Sequence, residues 1–188
     1  MKNAIILHGT CSRREYYDGS LPPISNRYWY PWLQRQLMVR DITASVPEIP
    51  LAFKPDYEIW KREAERFDVG PQTLIVGHST GAGFWVRWLS EHPGVRVGKV
   101  VLVAPWLDPN NIKKTTFFDF EFDEQLVKRT EGLAIFASDN DHLGIKWSVE
   151  TFRDKLPGHS FREFQGFGHF MDIQEFPELL DELLGNNN

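Results

Sequence analysis

The stretch "TLIVGHSTGAGFWVRWL", residues 73–89, joins an apolar run to an aromatic-rich segment through a serine between two glycines. Its first part predicts a buried strand, and its last part predicts a helix. Ser79 stands at the junction, with Gly77 two places before it and Gly81 two places after it. This is the G-x-S-x-G pattern of a sharp strand-to-helix turn. Such a turn strains the backbone of the serine and exposes its hydroxyl, while the glycines leave room for the returning helix.

Other short runs along the chain also predict strands. They are rich in Ile, Val, Leu and Ala, and the strongest are continuously apolar, which is typical of strands buried on both faces of a parallel sheet. These runs are residues 4–7, 42–46, 99–104, 133–138 and 160–164, and predicted helices occupy residues 55–67, 83–92, 146–156 and 176–185. Alternating strands and helices predict an α/β three-layer sandwich with about six parallel strands and helices on both faces. The asparagine tail, residues 186–188, is expected to be disordered.

Length and composition favour one globular domain, residues 1–188, with 41% apolar and 25% charged residues. The net charge of −5 argues against binding to nucleic acid or to an anionic membrane. No apolar run approaches the roughly 20 residues of a membrane span, and the N-terminal apolar stretch is too short for a signal peptide. The single cysteine, Cys11, excludes an internal disulfide. A cytoplasmic location is therefore expected.

A serine hydroxyl is a poor nucleophile at neutral pH, so Ser79 requires a general base and an acid that orients it. In this fold the chain order is serine, acid, histidine. His169, in "GFGHF", follows the last predicted strand and precedes the last helix, which places it at the carboxyl edge of the sheet. We therefore expect His169 to be the base, with His142 as an alternative. A histidine that merely packs on neighbouring phenylalanines is the non-catalytic interpretation.

The acid is expected to follow the predicted strand at residues 133–138, in "SDNDHLG". Asp139 and Asp141 both occupy this segment. Asp141 has greater reach along the chain, so it is the favoured candidate, and Asp139 stays the alternative.

The charge that develops on an attacked carbonyl oxygen needs preorganised N–H donors. The backbone N–H of Thr80, at the positive end of the helix that follows the nucleophile, is one expected donor. "HGT" follows the first strand, so the N–H of Thr10 is the second, and Gly9 lets the backbone turn toward the site. His8 is expected to pack or hydrogen-bond beneath this loop rather than to perform chemistry.

With "ILHG", "GHSTG", "SDNDH" and "GFGH" in this order, the chain resembles an α/β-hydrolase over nearly its whole length. Its short size and the segment "APWLDP" make it similar to the small serine hydrolases related to the retinoblastoma-binding serine hydrolase and to YdeN-like bacterial proteins. The resemblance implies a trimmed hydrolase sheet without a large cap domain. It also implies a catalytic triad of Ser79, Asp141 and His169, and hydrolysis of the esterase type.

Several further residues are candidates for binding the substrate. His78 adjoins the nucleophile, and Trp106 and Leu107 follow the fourth strand, as does the phenylalanine-rich segment that contains Phe117. This segment, residues 115–129, either walls an apolar pocket or attaches the insertion to the core. The loop at residues 10–27 is longer and more charged than a simple oxyanion loop requires, and it either shapes the acyl pocket or is simply solvated.

The leading hypothesis is a cofactor-independent serine hydrolase that cleaves an ester or thioester of a small or short-chain acyl substrate. No motif for a metal, nucleotide or flavin occurs in the sequence. Amide hydrolysis and acyl transfer would use the same groups. The alternative from another class is a binding module that keeps the fold and docks a protein partner. The oligomeric state is left open.

Overall fold

A computed structural model describes residues 2–185 of the chain, so the tail at residues 186–188 lies outside the described part. Six strands form one sheet in which every neighbouring pair is parallel. The strands are β1 (Asn3–Leu7), β2 (Thr43–Ser45), β3 (Thr73–His78), β4 (Val100–Val103), β5 (Leu133–Ser138) and β6 (Ser160–Phe164). The predicted α/β class and the predicted parallel sheet are confirmed.

Helices connect these strands and cover the sheet. They are α1 (Arg13–Tyr16), α2 (Tyr30–Met38), α3 (Tyr57–Ala64), α4 (Thr80–Glu91), α5 (Leu143–Lys155) and α6 (Pro177–Leu184), with short 3-10 turns at Ile24–Asn26 and Leu126–Arg129. Helices α2 and α6 contact each other, and α3 and α4 contact each other. Within residues 2–185, no helix has the length and apolar character needed to cross a lipid bilayer.

The burial of the strands follows their composition. Every residue of β3, β4 and β5 is buried, as their continuously apolar sequences predict. The outer strands β2 and β6 are partly exposed and carry polar residues. The core is therefore concentrated around the middle of the sheet, where it fixes the strands whose ends carry the site.

The order of the strands is β2-β1-β3-β4-β5-β6, so the chain leaves β1 toward one side of the sheet and leaves β3 toward the other. Ligand sites in open parallel sheets form at such a switch point, outside the carboxyl ends of the strands. Gly9 follows β1 and Ser79 follows β3. The topology thus brings the expected oxyanion loop beside the expected nucleophile.

The phenylalanine-rich segment at residues 115–129, between β4 and β5, lies against the helices rather than forming a wall beside Ser79. Phe117 is 1% exposed, and its ring lies 5.3 Å from that of Trp60 in α3. The Arg87 guanidinium, in α4, donates hydrogen bonds to the carbonyls of Thr116 and Phe117 at 2.8 and 2.9 Å. The insertion is therefore attached to the core. The assignment of the whole chain to a single domain stays a prediction.

Candidate active site

The turn between β3 and α4 holds Ser79 in the conformation that the sequence pattern predicts. Ser79 has φ 55° and ψ −118°, a region that side-chain-bearing residues rarely adopt. A Cβ atom at Gly77 would lie 2.5 Å from the Ala82 Cα, and one at Gly81 would lie 2.6 Å from the His8 carbonyl oxygen. Both glycines are needed because backbone atoms occupy the space that a side chain would fill.

His169 and Asp141 come together at the carboxyl ends of β5 and β6. The imidazole Nδ1 of His169 lies 2.9 Å from Asp141 Oδ2 and 3.2 Å from Asp141 Oδ1. Since a carboxylate accepts, Nδ1 carries the proton and Nε2 is left as the basic nitrogen. The Asp141 side chain is 1% exposed, and its Oδ1 also accepts the N–H of His142 at 2.7 Å. This geometry fits an acid that orients a base.

The residues just before Asp141 bind the loop that carries His169. Ser138 Oγ accepts the N–H of Phe167 at 3.0 Å. Asp139 Oδ1 accepts the N–H of Gly166, and Asn140 Oδ1 accepts that of Gly168, each at 2.7 Å. The two loops are therefore joined residue by residue. Asp139, the alternative acid, binds loop backbone, whereas Asp141 contacts the imidazole.

Two carbonyl groups of the loop that carries His169 accept hydrogen bonds from residues earlier in the chain. His78 Nε2 lies 2.9 Å from the His169 carbonyl oxygen, and His78 Nδ1 lies 2.6 Å from the Tyr30 hydroxyl. Because a carbonyl only accepts, Nε2 carries the proton, and the Tyr30 hydroxyl donates to Nδ1. Burial is the main cause that holds the pKa of His78 well below its usual value, and the nearby His169 acts in the same direction. Trp29 Nε1 donates to the Phe170 carbonyl at 3.1 Å.

His8 supports the loop after β1, as the sequence predicts. Its Nδ1–H donates to the Gly9 carbonyl at 2.7 Å, and its Nε2 accepts the N–H of Ile49 at 3.0 Å. Burial lowers the pKa of His8 and favours this neutral ring. The Gly9 carbonyl and the Thr10 N–H belong to one peptide plane and point in opposite directions. The bond from His8 therefore also fixes the direction of the Thr10 N–H.

The two residues expected to supply the oxyanion donors are neighbours. The hydroxyls of Thr10 and Thr80 lie 3.4 Å apart. A Cβ atom at Gly9 would lie 2.8 Å from the Ser79 Cβ, so the loop after β1 closely approaches the nucleophile. This arrangement allows two backbone N–H groups to bind the oxygen of a carbonyl that Ser79 attacks.

A cavity of about 280 Å³ opens beside Ser79. Among the expected residues, Gly9, Thr10, His78, Ser79 and His169 line it. No direct hydrogen bond joins the Ser79 hydroxyl to the imidazole within residues 2–185. Such bonds often tighten only when substrate is present.

Three expected substrate contacts are not brought to this cavity. Phe117 lies in the core because the insertion packs on α3 and α4. The Trp106 N–H donates to the Ser79 carbonyl at 3.2 Å, but its ring lies 5.4 Å from that of Phe118. Leu107 lines a separate surface hollow, and its N–H donates to Ser148 Oγ at 3.1 Å. The structure thus places these three side chains away from this cavity, and their role in binding substrate stays a prediction.

Other residues of the cavity were missed. The loop at residues 10–27 contributes Cys11, Ser12, Glu15, Ile24 and Arg27, and Tyr28, Tyr30, Lys113 and Met171 complete the wall. The length and the charge of that loop are its signals in the sequence, and of its two interpretations, the structure supports the one that shapes the pocket. No sequence pattern pointed to Lys113.

Comparisons with known proteins bear on the family and the fold of the chain. The family model described as "Serine hydrolase" matches residues 19–179. The curated protein "Putative hydrolase YdeN" of Bacillus subtilis is 25% identical over 185 residues, covering 95% of this chain and 90% of that protein. The crystal structure of the ydeN gene product from B. subtilis matches with a TM-score of 0.81 and 22% identity, covering 98% of each chain.

More distant structures share the fold. The esterase domain of a Rhodothermus marinus protein matches with a TM-score of 0.65 and 18% identity, covering 98% of this chain and 84% of that one. The resemblance to YdeN is thus supported, while the link to the retinoblastoma-binding serine hydrolase stays an expectation. Because the family model covers most of the residues that form the sheet and its site, the chain belongs to the serine hydrolase family and has the α/β-hydrolase fold.

Proposed function

We propose that the protein hydrolyses a carboxylic ester or thioester of a small or short-chain acyl group through Ser79, His169 and Asp141. The observation that carries the proposal is the shared cavity of Ser79, in its strained turn, and His169, whose Nδ1 lies 2.9 Å from Asp141. A protein that only docks a partner would not need a nucleophile, a base and an acid in this arrangement.

In the first half-reaction, His169 Nε2 removes the proton of the Ser79 hydroxyl as its oxygen attacks the substrate carbonyl carbon. Asp141 holds the imidazole in the required tautomer and stabilises the imidazolium. The N–H groups of Thr10 and Thr80 bind the oxyanion. His169 then donates its proton to the leaving alcohol or thiol, and an acyl-enzyme remains.

In the second half-reaction, His169 removes a proton from water, which attacks the acyl-enzyme carbonyl. The tetrahedral intermediate collapses, Ser79 regains its proton from the imidazolium, and the carboxylic acid leaves. A cavity of about 280 Å³ supports a small acyl group.

A fluorophosphonate probe tests the proposal, because it reacts covalently with an activated serine. We expect the wild-type protein to be labelled and Ser79→Ala to lose labelling completely. Ser160→Ala, which changes an exposed serine of β6, serves as the matched control and should be labelled like the wild type. Circular dichroism confirms that each variant is folded.

His169→Ala should lower both the labelling rate and ester turnover by about 10⁴-fold or more, since the base acts in both half-reactions. A folded wild-type protein that remains unlabelled would favour the binding module instead.

A further inference from the structure

The cavity beside Ser79 carries charged side chains that the proposed mechanism does not use. Glu15, Arg27 and Lys113 all line it. A cavity that accepted only neutral acyl groups would gain nothing from a charged side chain in its wall, because a bound ligand would cover that charge and remove it from water at a cost. The partners of each charge therefore indicate which of them is available to a ligand.

Arg27 and Glu15 have their partners within the wall of the cavity. The guanidinium Nη1 lies 3.7 Å from Glu15 Oε1, and Nε donates to the Pro22 carbonyl at 2.7 Å. Glu15 Oε2 also accepts the N–H of Ser12 at 2.9 Å, which completes the cap of α1. These two charges are mutually compensated and tied to the loop at residues 10–27.

Lys113 differs because it has no acidic partner. Within residues 2–185, no carboxylate approaches its ammonium within ion-pair distance, and its one hydrogen bond goes to the Phe53 carbonyl at 3.3 Å. An ammonium has three donors, so two remain for a ligand.

The backbone that carries Lys113 is held in place. Asp108 Oδ1 accepts the N–H of Ile112 and Asp108 Oδ2 accepts that of Lys113, each at 2.7 Å. Asp108 itself is 7% exposed. The backbone of Lys113 is thus held in place, and the residue lines the same cavity as the nucleophile.

We propose that the substrate carries a carboxylate, which the Lys113 ammonium binds while Ser79 attacks the ester carbonyl. This inference rests on the proposed function and names its substrate class. The carboxylate belongs either to the acyl group, as in a monoester of a dicarboxylic acid, or to the alcohol that leaves. Both put an anion at the lysine end of the cavity and the scissile carbonyl at the serine end.

Matched pairs of esters test the inference. For the acyl side, the para-nitrophenyl monoester of adipic acid is compared with para-nitrophenyl hexanoate, which has the same chain length without the charge. For the leaving-group side, para-acetoxybenzoate is compared with para-acetoxybenzamide. The readout is the ratio of kcat/KM for the charged over the neutral ester.

In one of the two pairs, we expect the wild-type protein to prefer the charged ester by about 10-fold or more in kcat/KM, mainly because its KM is lower. This is the size of effect that a charge-assisted hydrogen bond produces. Lys113→Met should reduce that ratio to about one, and Lys113→Arg should retain part of it. Lys114→Met removes the same charge from a side chain outside this cavity, so it should keep the wild-type ratio. Higher ionic strength should reduce the preference.

A wild-type protein that takes up the fluorophosphonate and hydrolyses neutral esters without preferring the charged ester of either pair overturns this inference alone. The same holds for a preference that Lys113→Met leaves intact. A protein that neither reacts with the probe nor hydrolyses any ester overturns the proposed function and this inference with it.

Discussion

The turn at residues 77–81 and the loop at residues 165–176 bring the proposed nucleophile and base to one cavity by different means. The turn is specified by its own sequence, because backbone atoms would lie within about 2.6 Å of a Cβ atom at Gly77 or Gly81. The loop is specified by partners far along the chain, including Trp29, His78 and Asn140. A local pattern can thus encode one half of a site while long-range hydrogen bonds position the other.

The sharpest test of the loop half compares the two aspartates. Asp141→Asn should lower kcat by about 10⁴-fold, because an amide no longer selects the required tautomer of His169. Asp139→Asn should cost less than about 10-fold, since an amide oxygen can still accept the Gly166 N–H. Steady-state ester hydrolysis measures both effects. Equal losses in the two variants would mean that Asp141 has been misassigned as the acid.

The turn at residues 77–81 is tested through the free energy of unfolding. Gly81→Ala places a methyl group against the carbonyl oxygens of Leu7 and His8, 2.6 Å from the latter, so we expect the free energy of unfolding to fall by about 3 kcal/mol. Gly19→Ala is the matched control, because a Cβ there meets nothing within 4 Å, and its unfolding free energy should change by less than about 0.5 kcal/mol. Urea denaturation measures both. If Gly81→Ala were as stable as the control, close approach would not be what fixes the turn.

A smaller effect concerns the support of the loop by His78. Its pKa is held below the ordinary value of 6.5 mainly by burial, so below pH 6.5 the unfolded chain binds a proton that the folded chain does not. The free energy of unfolding should therefore fall as the pH drops through 6.5 toward the lowered pKa, by up to about 1.4 kcal/mol per pH unit for this group. Above pH 6.5 this contribution is fully present.

His78→Gln removes that titration and should flatten the pH dependence of urea unfolding between pH 6.5 and about 5. The remaining slope should include His8, whose pKa burial also lowers. An unchanged slope in the variant would show that His78 is not the group responsible.

The same contrast explains what the sequence could predict. The six strands and the turn at Ser79 follow from apolar runs and glycine spacing, which are local signals. The expected pairing of His169 with the later aspartate followed from chain order and reach. The placement of the phenylalanine-rich segment at residues 115–129 is harder to predict. A phenylalanine such as Phe117 gives the same sequence signal whether it lines a cavity or fills a core. Only its contacts with α3 and α4 distinguish the two.

The cavity wall was the least predictable part. Lys113 lies in an irregular segment. The sequence around it does not indicate that Asp108 holds its backbone beside the site. Arg27 lies in a loop for which only length and charge indicate a role. Such residues are placed by tertiary hydrogen bonds between segments with no periodic pattern, so a sequence pattern carries little information on them.

The loop at residues 10–27 builds much of the wall yet supplies only the Thr10 N–H to the proposed chemistry. Its internal bonds, such as those of Ser12 with Glu15 and of Arg27 with Pro22, keep it folded from within. Exchanging the segment beyond Thr10 for one of different charge would therefore redirect substrate choice while leaving the reactive groups untouched. A change of substrate choice at this wall therefore requires no change in the turn that holds Ser79.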